Sequence, residues 1–341
     1  MGVDLGEVPK AAAPLPSLSG KKFAVDAYNT IYQFLSSIRQ PDGTPLRDLN
    51  GKITAHLAGI FYRNCRLLEN GIRPIYVFDG KPPHSKDATL QERSSRKLEA
   101  EIRWMAALEK EDFEEARKAA QATSRLTEEM VAESKELLSC MGIPVIQAPS
   151  EGEAQASQLV LEGSADAVAS QDMDCLLFGA PVLLRNLSLS GRRKLPGKEE
   201  WVEVEPEVIM LSEVLSFFGL SRQQLVWMGI LVGTDFNEGI KRIGPKKALK
   251  IVKSSASLRE VAEKANAKEL YPIFQSAEDF FLNPPVEKGL SIKFGKFDKE
   301  RIVELLCNRH DFSKERVLKS AEAAEKRLKD SISQTRLDSW S

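Results

Sequence analysis

Short apolar runs that end in an acid recur along this chain. Lys22–Asp26 (KFAVD), Ile75–Asp79 (IYVFD) and Asp166–Ser170 (DAVAS) lack polar alternation, the pattern of strands covered on both faces. Ile143–Ile146 reads as another strand leading into Ala148-Pro149-Ser150, and Pro181–Leu187 as one more. Helical periodicity separates them. Ile31, Phe34, Leu35 and Ile38 follow Asp26 at helical spacing, and Ile53–Asn70 is stopped by Gly71. Leu211–Val232 is helical with a break at Gly219. Strands alternating with helices predict an α/β fold around an open parallel sheet. Pro41–Gly51 is turn-rich, Gly191–Lys198 (GRRKLPGK) reads as a basic surface loop, and Trp201–Glu205 as an edge strand. Residues 255–320 alternate short helices and Pro-rich turns without evident chemistry. From Ser331 the chain turns polar and reads as an exposed tail.

Candidate chemistry enters where the strands end. Ala148–Asp174 carries Glu151 and Glu153, a helix-like stretch, a strand, then Asp172 and Asp174. In an open parallel sheet both acidic loops lie at the carboxyl edge, where ligands bind. Asp26 and Asp79 repeat the arrangement. A single Asp after a strand commonly begins a turn; acids at four strand ends of one sheet are harder to explain that way. Two carboxylates roughly 5 Å apart repel by about 3 kcal/mol at an effective dielectric near 20. Bound divalent cations relieve such repulsion, and an all-oxygen donor set suits Mg²⁺, with Mn²⁺ as a substitute. Two such ions about 4 Å apart can stabilise the attacking and leaving oxygens of a phosphodiester.

Two basic regions accompany the acids. After Lys81 a charged, helix-favouring stretch runs to about Gly142, with Lys86, Arg93, Arg96, Lys97 and Arg103 early in it. Its pattern fits a solvated helical hairpin or a basic-faced lid tied to the sheet edge just after Asp79. Later, Lys241–Lys253 holds six basic residues and no acid, and Asp235 precedes it in a Gly-Thr turn. Gly244-Pro245-Lys246-Lys247 reads as a tight turn opening a helix. Its free N–H groups and lysines would grip a phosphate backbone without reading base sequence.

Composition narrows the classes. The chain of 341 residues has a formal net charge of −1, so nucleic-acid binding must rest on clustering. Four cysteines and three histidines are scattered without zinc or disulfide-framework spacing. Neither a secretory leader nor an apolar run of membrane-spanning length is evident, which predicts a cytoplasmic protein. The acids by themselves also allow a phosphatase or ribonuclease, or a non-enzymatic adaptor. A remote duplex grip speaks against the first, and the full set of acids against the second.

Five motifs in order, AVDAYNTIYQFL, YVFDGKPP, APSEGEA, SQDMDC and LVGTDFNEGIKRIGPKKA, resemble those of the flap endonucleases, members of the structure-specific 5′ nucleases. The resemblance covers nearly the whole chain and is closest to archaeal members. It implies a mostly parallel twisted sheet flanked by helices, a helical arch over residues 81–127 and a helix–hairpin–helix element over 220–256. Residues 1–325 would form one nuclease domain and 326–341 a flexible tail. The activity implied is Mg²⁺-dependent hydrolysis at the junction where a 5′ flap leaves duplex DNA, with 5′–3′ exonuclease action, in replication and repair. Asp26, Asp79, Glu151, Glu153, Asp172, Asp174 and Asp235 match the family's metal-binding acids, and Lys86 and Arg93 its arch residues. Tyr32 matches the aromatic that stacks on a base near the cut. Gly2, exposed once Met1 is removed, matches the terminus that lies against the site. Gly244, Lys246 and Lys247 match the backbone grip. Gln334, Leu337 and Trp340 are similar to the motif that holds the sliding clamp, although Ser341 stands where a second aromatic is usual. A monomer is expected.

Overall fold

The computed structural model describes residues 2–40, 42–81, 99–100, 102–107, 115, 119, 122–187, 191–194 and 201–338. Its frame is a seven-stranded sheet. In chain order the strands are β1 (Ala11–Ala12), β2 (Lys22–Asp26), β3 (Arg73–Phe78), β4 (Val145–Gln147), β5 (Ala167–Ala169), β6 (Val182–Arg185) and, after a separate hairpin, β9 (Glu207–Met210). Their spatial order is β1-β9-β6-β5-β2-β3-β4. The run β6-β5-β2-β3-β4 is parallel, β9 pairs antiparallel with β6, and β1 antiparallel with β9. The expected mostly parallel sheet is therefore present. After β2 the chain builds outward to β3 and β4, then crosses back to lay β5 on the other side of β2. That reversal opens a crevice at the carboxyl ends of β2 and β5.

Both faces of the sheet are covered. In β2, Ala24 faces one apolar core while Phe23 and Val25 face the other; in β3, Ile75 and Val77 face the first, Tyr76 and Phe78 the second. The first core lies under α4 (Gly152–Leu161), α5 (Asp174–Leu177), α6 (Leu211–Phe218), α7 (Arg222–Val232), α8 (Pro245–Lys253), α9 (Leu258–Lys264) and α10 (Tyr271–Leu282). The second lies under α1 (Ala27–Ser37), α2 (Ala55–Glu69), α3 (Glu128–Cys140), α11 (Lys299–Val303) and α12 (Lys314–Asp338). Burial on both faces explains why the strands read as continuous apolar runs.

A side chain of α4 helps to secure the irregular stretch between α10 and α11. The fully buried Gln155 of α4 donates from Nε2 to the Glu287 carbonyl and accepts the Glu287 N–H, both at 2.8 Å. No helix among the described residues is long and apolar enough to cross a membrane.

Gly191–Lys194 departs from the expected surface loop: it forms β7, paired antiparallel with β8 (Trp201–Val204). Charge density marks a segment as wet but does not tell whether its backbone finds a pairing partner. Residues 11–12 join the sheet edge with no sequence signal in Ala-Ala. At the other end the backbone is helical through Asp338, beyond the point where the composition turns polar.

A buried polar chain ties the second layer together. His310 Nδ1 lies 2.9 Å from Asp48 Oδ2 and its Nε2 lies 3.2 Å from Glu133 Oε1. The other Glu133 oxygen meets His56 Nε2 at 3.1 Å. Four segments, the 48–52 turn, α2, α3 and the loop before α12, are thus joined. Each ring nitrogen of His310 lies within hydrogen-bond reach of a carboxylate oxygen. Burial raises the Asp48 pKa, but the His310 bond and the Lys52 and Asn50 N–H groups outweigh it and leave it below the usual range. Glu133 is likewise held low, burial being outweighed by His56 and His310. His310→Ala removes one partner from each of these carboxylates and is expected to lower stability by roughly 2 kcal/mol at neutral pH. A depressed carboxylate contributes stability that is complete above its unfolded pKa and lost as pH falls through its folded one. The difference between wild type and variant, read by thermal unfolding, should therefore shrink below about pH 4. A pH-independent difference would show that lost packing, not the ion pairs, is responsible.

Candidate active site

Four loops meet at the carboxyl edge of β2, β3, β4 and β5, and local backbone chemistry aims their acids inward. Asp26 ends β2 and is the N-cap of α1, accepting the Asn29 N–H at 3.0 Å. Asp79 follows β3, and its Oδ1 accepts the Gly152 N–H at 2.6 Å, so it caps the first turn of α4 from outside. Glu151 is the N-cap residue of α4 and Glu153 lies in its first turn. Anionic side chains are stabilised at helix N-termini by the free N–H groups there. The loops pack tightly: a Cβ on Gly80 would stand 2.2 Å from the Ala148 carbonyl oxygen.

Asp172 and Asp174 follow β5 and are held by the beginning of the chain. Asp172 Oδ1 accepts the Gly2 N–H at 2.9 Å, and Asp174 Oδ1 accepts the Val3 N–H at 2.7 Å. The second oxygen of Asp172 accepts from Asn29 Nδ2 at 2.9 Å. A Cβ on Gly2 would stand 2.6 Å from the Asp172 Cβ, so only glycine brings the backbone this close. Asp235, in the turn after α7, acts electrostatically on Asp174. Its neighbour Phe236 is buried against Phe178, Phe280 and Phe281, which anchors that turn to the first core.

The crowding has an electrostatic consequence. Burial, with Asp79 and then Asp172 nearby, pushes the Asp26 carboxyl up to about 8, against the Asn29 and Ser170 bonds that favour the anion. Burial, with Asp235 and Asp172 adding, pushes Asp174 up to about 7 despite the Val3 N–H. Among the described residues no group of three or more His, Cys, Asp or Glu side chains is poised to hold a metal ion directly. Several of these oxygens are instead turned toward N–H donors. The donors nonetheless fit hard divalent cations: all are carboxylate oxygens, and two buried members carry raised pKa values that cations would relieve.

Six of the expected acids lie at the end of β2 or in the segments that follow β3, β4 and β5, and Asp235 acts electrostatically on Asp174. Tyr32 lies on the exposed side of α1, 37% accessible, and the electrostatics of Tyr28 couple it to both Tyr32 and Asp79. Gly244 is the N-cap of α8, with open space where a Cβ would be, and Lys246 and Lys247 are exposed on its first turn. Arg242, in the left-handed region at φ 67°, turns the chain into that cap. Pro245 of α8 lies 3.3 Å from the Cβ position of Gly6. The strap from Gly2 to Gly6 spans at most about 15 Å, which limits how far α8 can sit from Asp172. Lys86, Arg93 and Trp340 lie outside the described residues, and Gln334 and Leu337 fall within the last turns of α12. Asn29 and Ser170 escaped the sequence reading. Neither is acidic, and the contacts of Asn29 with Asp172 and of Ser170 with Asp26 and Glu153 join residues far apart in sequence.

The raised carboxyls make a signed prediction. Between the unfolded pKa near 4 and the folded values near 7 and 8, the native state holds protons that the unfolded chain has released. Stability of the metal-free protein should therefore fall as pH rises from about 4 to 8, as far as these two groups govern it. Added Mg²⁺ should restore more of it at pH 8 than at pH 5. Thermal unfolding with and without the cation measures both slopes, and a cation effect independent of pH would contradict the assignment.

Comparison with known proteins agrees with this geometry. Residues 10–100 match the family model of the XPG N-terminal domain, and residues 142–235 that of the XPG I-region. The chain is 51% identical over 342 residues to flap endonuclease 1 of Pyrococcus abyssi, covering all of this chain and 98% of the other. It is 49% identical to that of Archaeoglobus fulgidus, covering both chains fully. The solved flap endonuclease-1 of Methanococcus jannaschii superposes with a TM-score of 0.76 at 42% identity, over 97% of this chain and 100% of that one. The catalytic core of Rad2 in complex with DNA substrate shares the fold, with a TM-score of 0.66 at 24% identity over 94% of this chain and 95% of that one. Full-length identity near one half, both XPG regions in order and a common fold place this chain in the flap endonuclease family of structure-specific nucleases.

Proposed function

We propose that this protein hydrolyses DNA phosphodiesters where a 5′ flap leaves the duplex, with Mg²⁺ as its resident cation. The observation that carries the reading is the strap Gly2–Gly6, which holds Asp172 and Asp174 at the strand ends and reaches Pro245 at the basic start of α8. Asp26, Asp79, Glu151, Glu153, Asp172, Asp174 and Asp235 would hold two Mg²⁺ ions, directly or through water. Bound there, the ions supply Lewis acidity to a phosphate oxygen and charge neutralisation to the leaving group. The protein's own part is positional. Asp79 and Glu153 are fixed at the start of α4, and Asp172 and Asp174 are fixed by the N–H groups of Gly2 and Val3. Tyr32 would stack on a base at the rim. The Gly244 cap and Lys246–Lys247 would hold duplex backbone, which orients the strand without reading its sequence. Lys86 and Arg93 would neutralise the phosphate at the cut from the arch.

The test is cleavage of an end-labelled 5′-flap duplex, with Mg²⁺ and with EDTA, beside matched single-stranded and blunt duplex DNA. Metal-dependent cutting at the flap junction is expected, together with slower removal of nucleotides from 5′ ends. Asp174→Ala should abolish cutting while flap binding, read by gel shift, is retained. Normal turnover in that variant would remove Asp174 from the site. Equal cutting of all substrates would point to a nuclease without junction specificity.

The tail is read as a sliding-clamp ligand through Gln334, Leu337 and Trp340, acting from a monomeric, cytoplasmic enzyme. Deleting residues 334–341 should leave cutting of free DNA intact and remove stimulation by the clamp. Stimulation that survives the deletion would place the clamp contact elsewhere.

A further inference from the structure

We propose that Ser170 is a positioning residue for this site: one buried hydroxyl sets the spacing between Asp26 and Glu153, and through it the affinity for the divalent cation. The inference deepens the reading of the acidic crevice as a metal-dependent cutting site and rests on it.

Ser170 directly follows β5, and strand pairing decides where it lies. Val25 of β2 pairs with Ala169 of β5, so the next residues, Asp26 and Ser170, leave the sheet side by side. The Ser170 side chain is buried, at 5% exposure. Its Oγ lies 3.3 Å from Asp26 Oδ2 and 3.3 Å from Glu153 Oε1, and it accepts the Asp172 N–H at 3.2 Å. One atom therefore touches three of the four acidic segments, which come from β2, α4 and the loop after β5.

The chemistry of the contact is asymmetric. A hydroxyl carries one proton and can donate it to one acceptor at a time. Two carboxylate oxygens share it at equal distance, so neither has a full hydrogen bond to itself. The same Glu153 oxygen is also 3.6 Å from Cys175 Sγ, so Ser170 and Cys175 meet Glu153 on one oxygen. Both Asp26 oxygens are engaged, one by the Asn29 N–H and one by Ser170. Ser170 thus orients both carboxylates while holding them apart, and the Asp172 N–H fixes Ser170 in turn. Removing the hydroxyl frees Asp26 and Glu153 to turn and leaves the Asp172 N–H without this acceptor.

The experiment compares Ser170→Ala, Ser170→Thr and Ser170→Cys with wild type. Mn²⁺ binding is followed without DNA by loss of the free-ion electron paramagnetic resonance signal, and Mg²⁺ dependence by flap cutting. A hydrogen bond to a charged group is worth about tenfold in an equilibrium constant, so Ser170→Ala should bind Mn²⁺ about tenfold more weakly. The Mg²⁺ concentration for half-maximal cutting should rise by a similar factor, with KM for flap DNA unchanged. Ser170→Thr should restore both, because it returns the hydroxyl. If Ser170→Ala does not fold by circular dichroism, Ser170→Cys, with its weak donor and similar shape, serves in its place and should lie between alanine and wild type. Unchanged Mn²⁺ affinity in the folded variant, or a threonine variant no better than alanine, would overturn the proposal. If wild type itself neither binds Mn²⁺ nor cuts flap DNA, it is the reading of the whole crevice that fails.

Discussion

Mutual repulsion among carboxylates at the edge of one sheet is the constraint that the rest of the structure answers. Asp26 and Asp174 are buried beside other acids; burial first, and the neighbouring carboxylates after it, push both carboxyls up. Among the described residues the fold counters that rise chiefly with backbone N–H groups. Helix starts face Asp26, Asp79 and Glu153, and the N–H groups of Gly2 and Val3 face Asp172 and Asp174. Such donors are fixed by secondary structure, so they hold a carboxylate in place without neutralising its charge. A site that must still attract cations needs that combination.

Holding charges together requires a frame that does not yield. The parallel strands supply it because helices cover both faces, and each strand contributes alternate residues to two separate cores. The reversal of strand order at β2 and β5 then brings acids far apart in sequence to adjacent strand ends. Phe236, packed among Phe178, Phe280 and Phe281, extends the same rigidity to the turn bearing Asp235. The beginning of the chain has a double role. Gly2 and Val3 fix two acids, and Gly6 reaches Pro245 at the start of the basic helix. Acidic crevice and backbone grip are consequently registered to each other by a strap five residues long, which limits where a bound duplex can present its strand.

Much of this was legible in the residues. The strand-end acids stood out because buried parallel strands leave an unbroken apolar signal, and an acid at its end is conspicuous. The basic helix was legible because Gly-Pro-Lys-Lys is a helix start whatever surrounds it. What was missed has a common physical character. β1 is two alanines, and β7 is Gly-Arg-Arg-Lys; neither carries a pattern, because a strand at an edge or in a lone hairpin is defined by its partner's backbone. The chain from Asp48 through His310 to Glu133 and His56 joins residues that are individually unremarkable in sequence.

The sequence by itself determined the inventory: which strands would be buried, which acids would end them, and which helix would offer free N–H groups to a phosphate. These are local properties of composition and period, and neighbours along the chain suffice to set them. Tertiary structure alone decided which oxygens face which donors. Gly2 against Asp172, Asn29 between Asp26 and Asp172, and Ser170 between Asp26 and Glu153 join partners that all but Asn29 and Asp26 hold far apart in sequence. Such contacts depend on strand register and on packing at the level of an ångström. No local preference encodes them, so the acids could be named from the sequence but their arrangement could not.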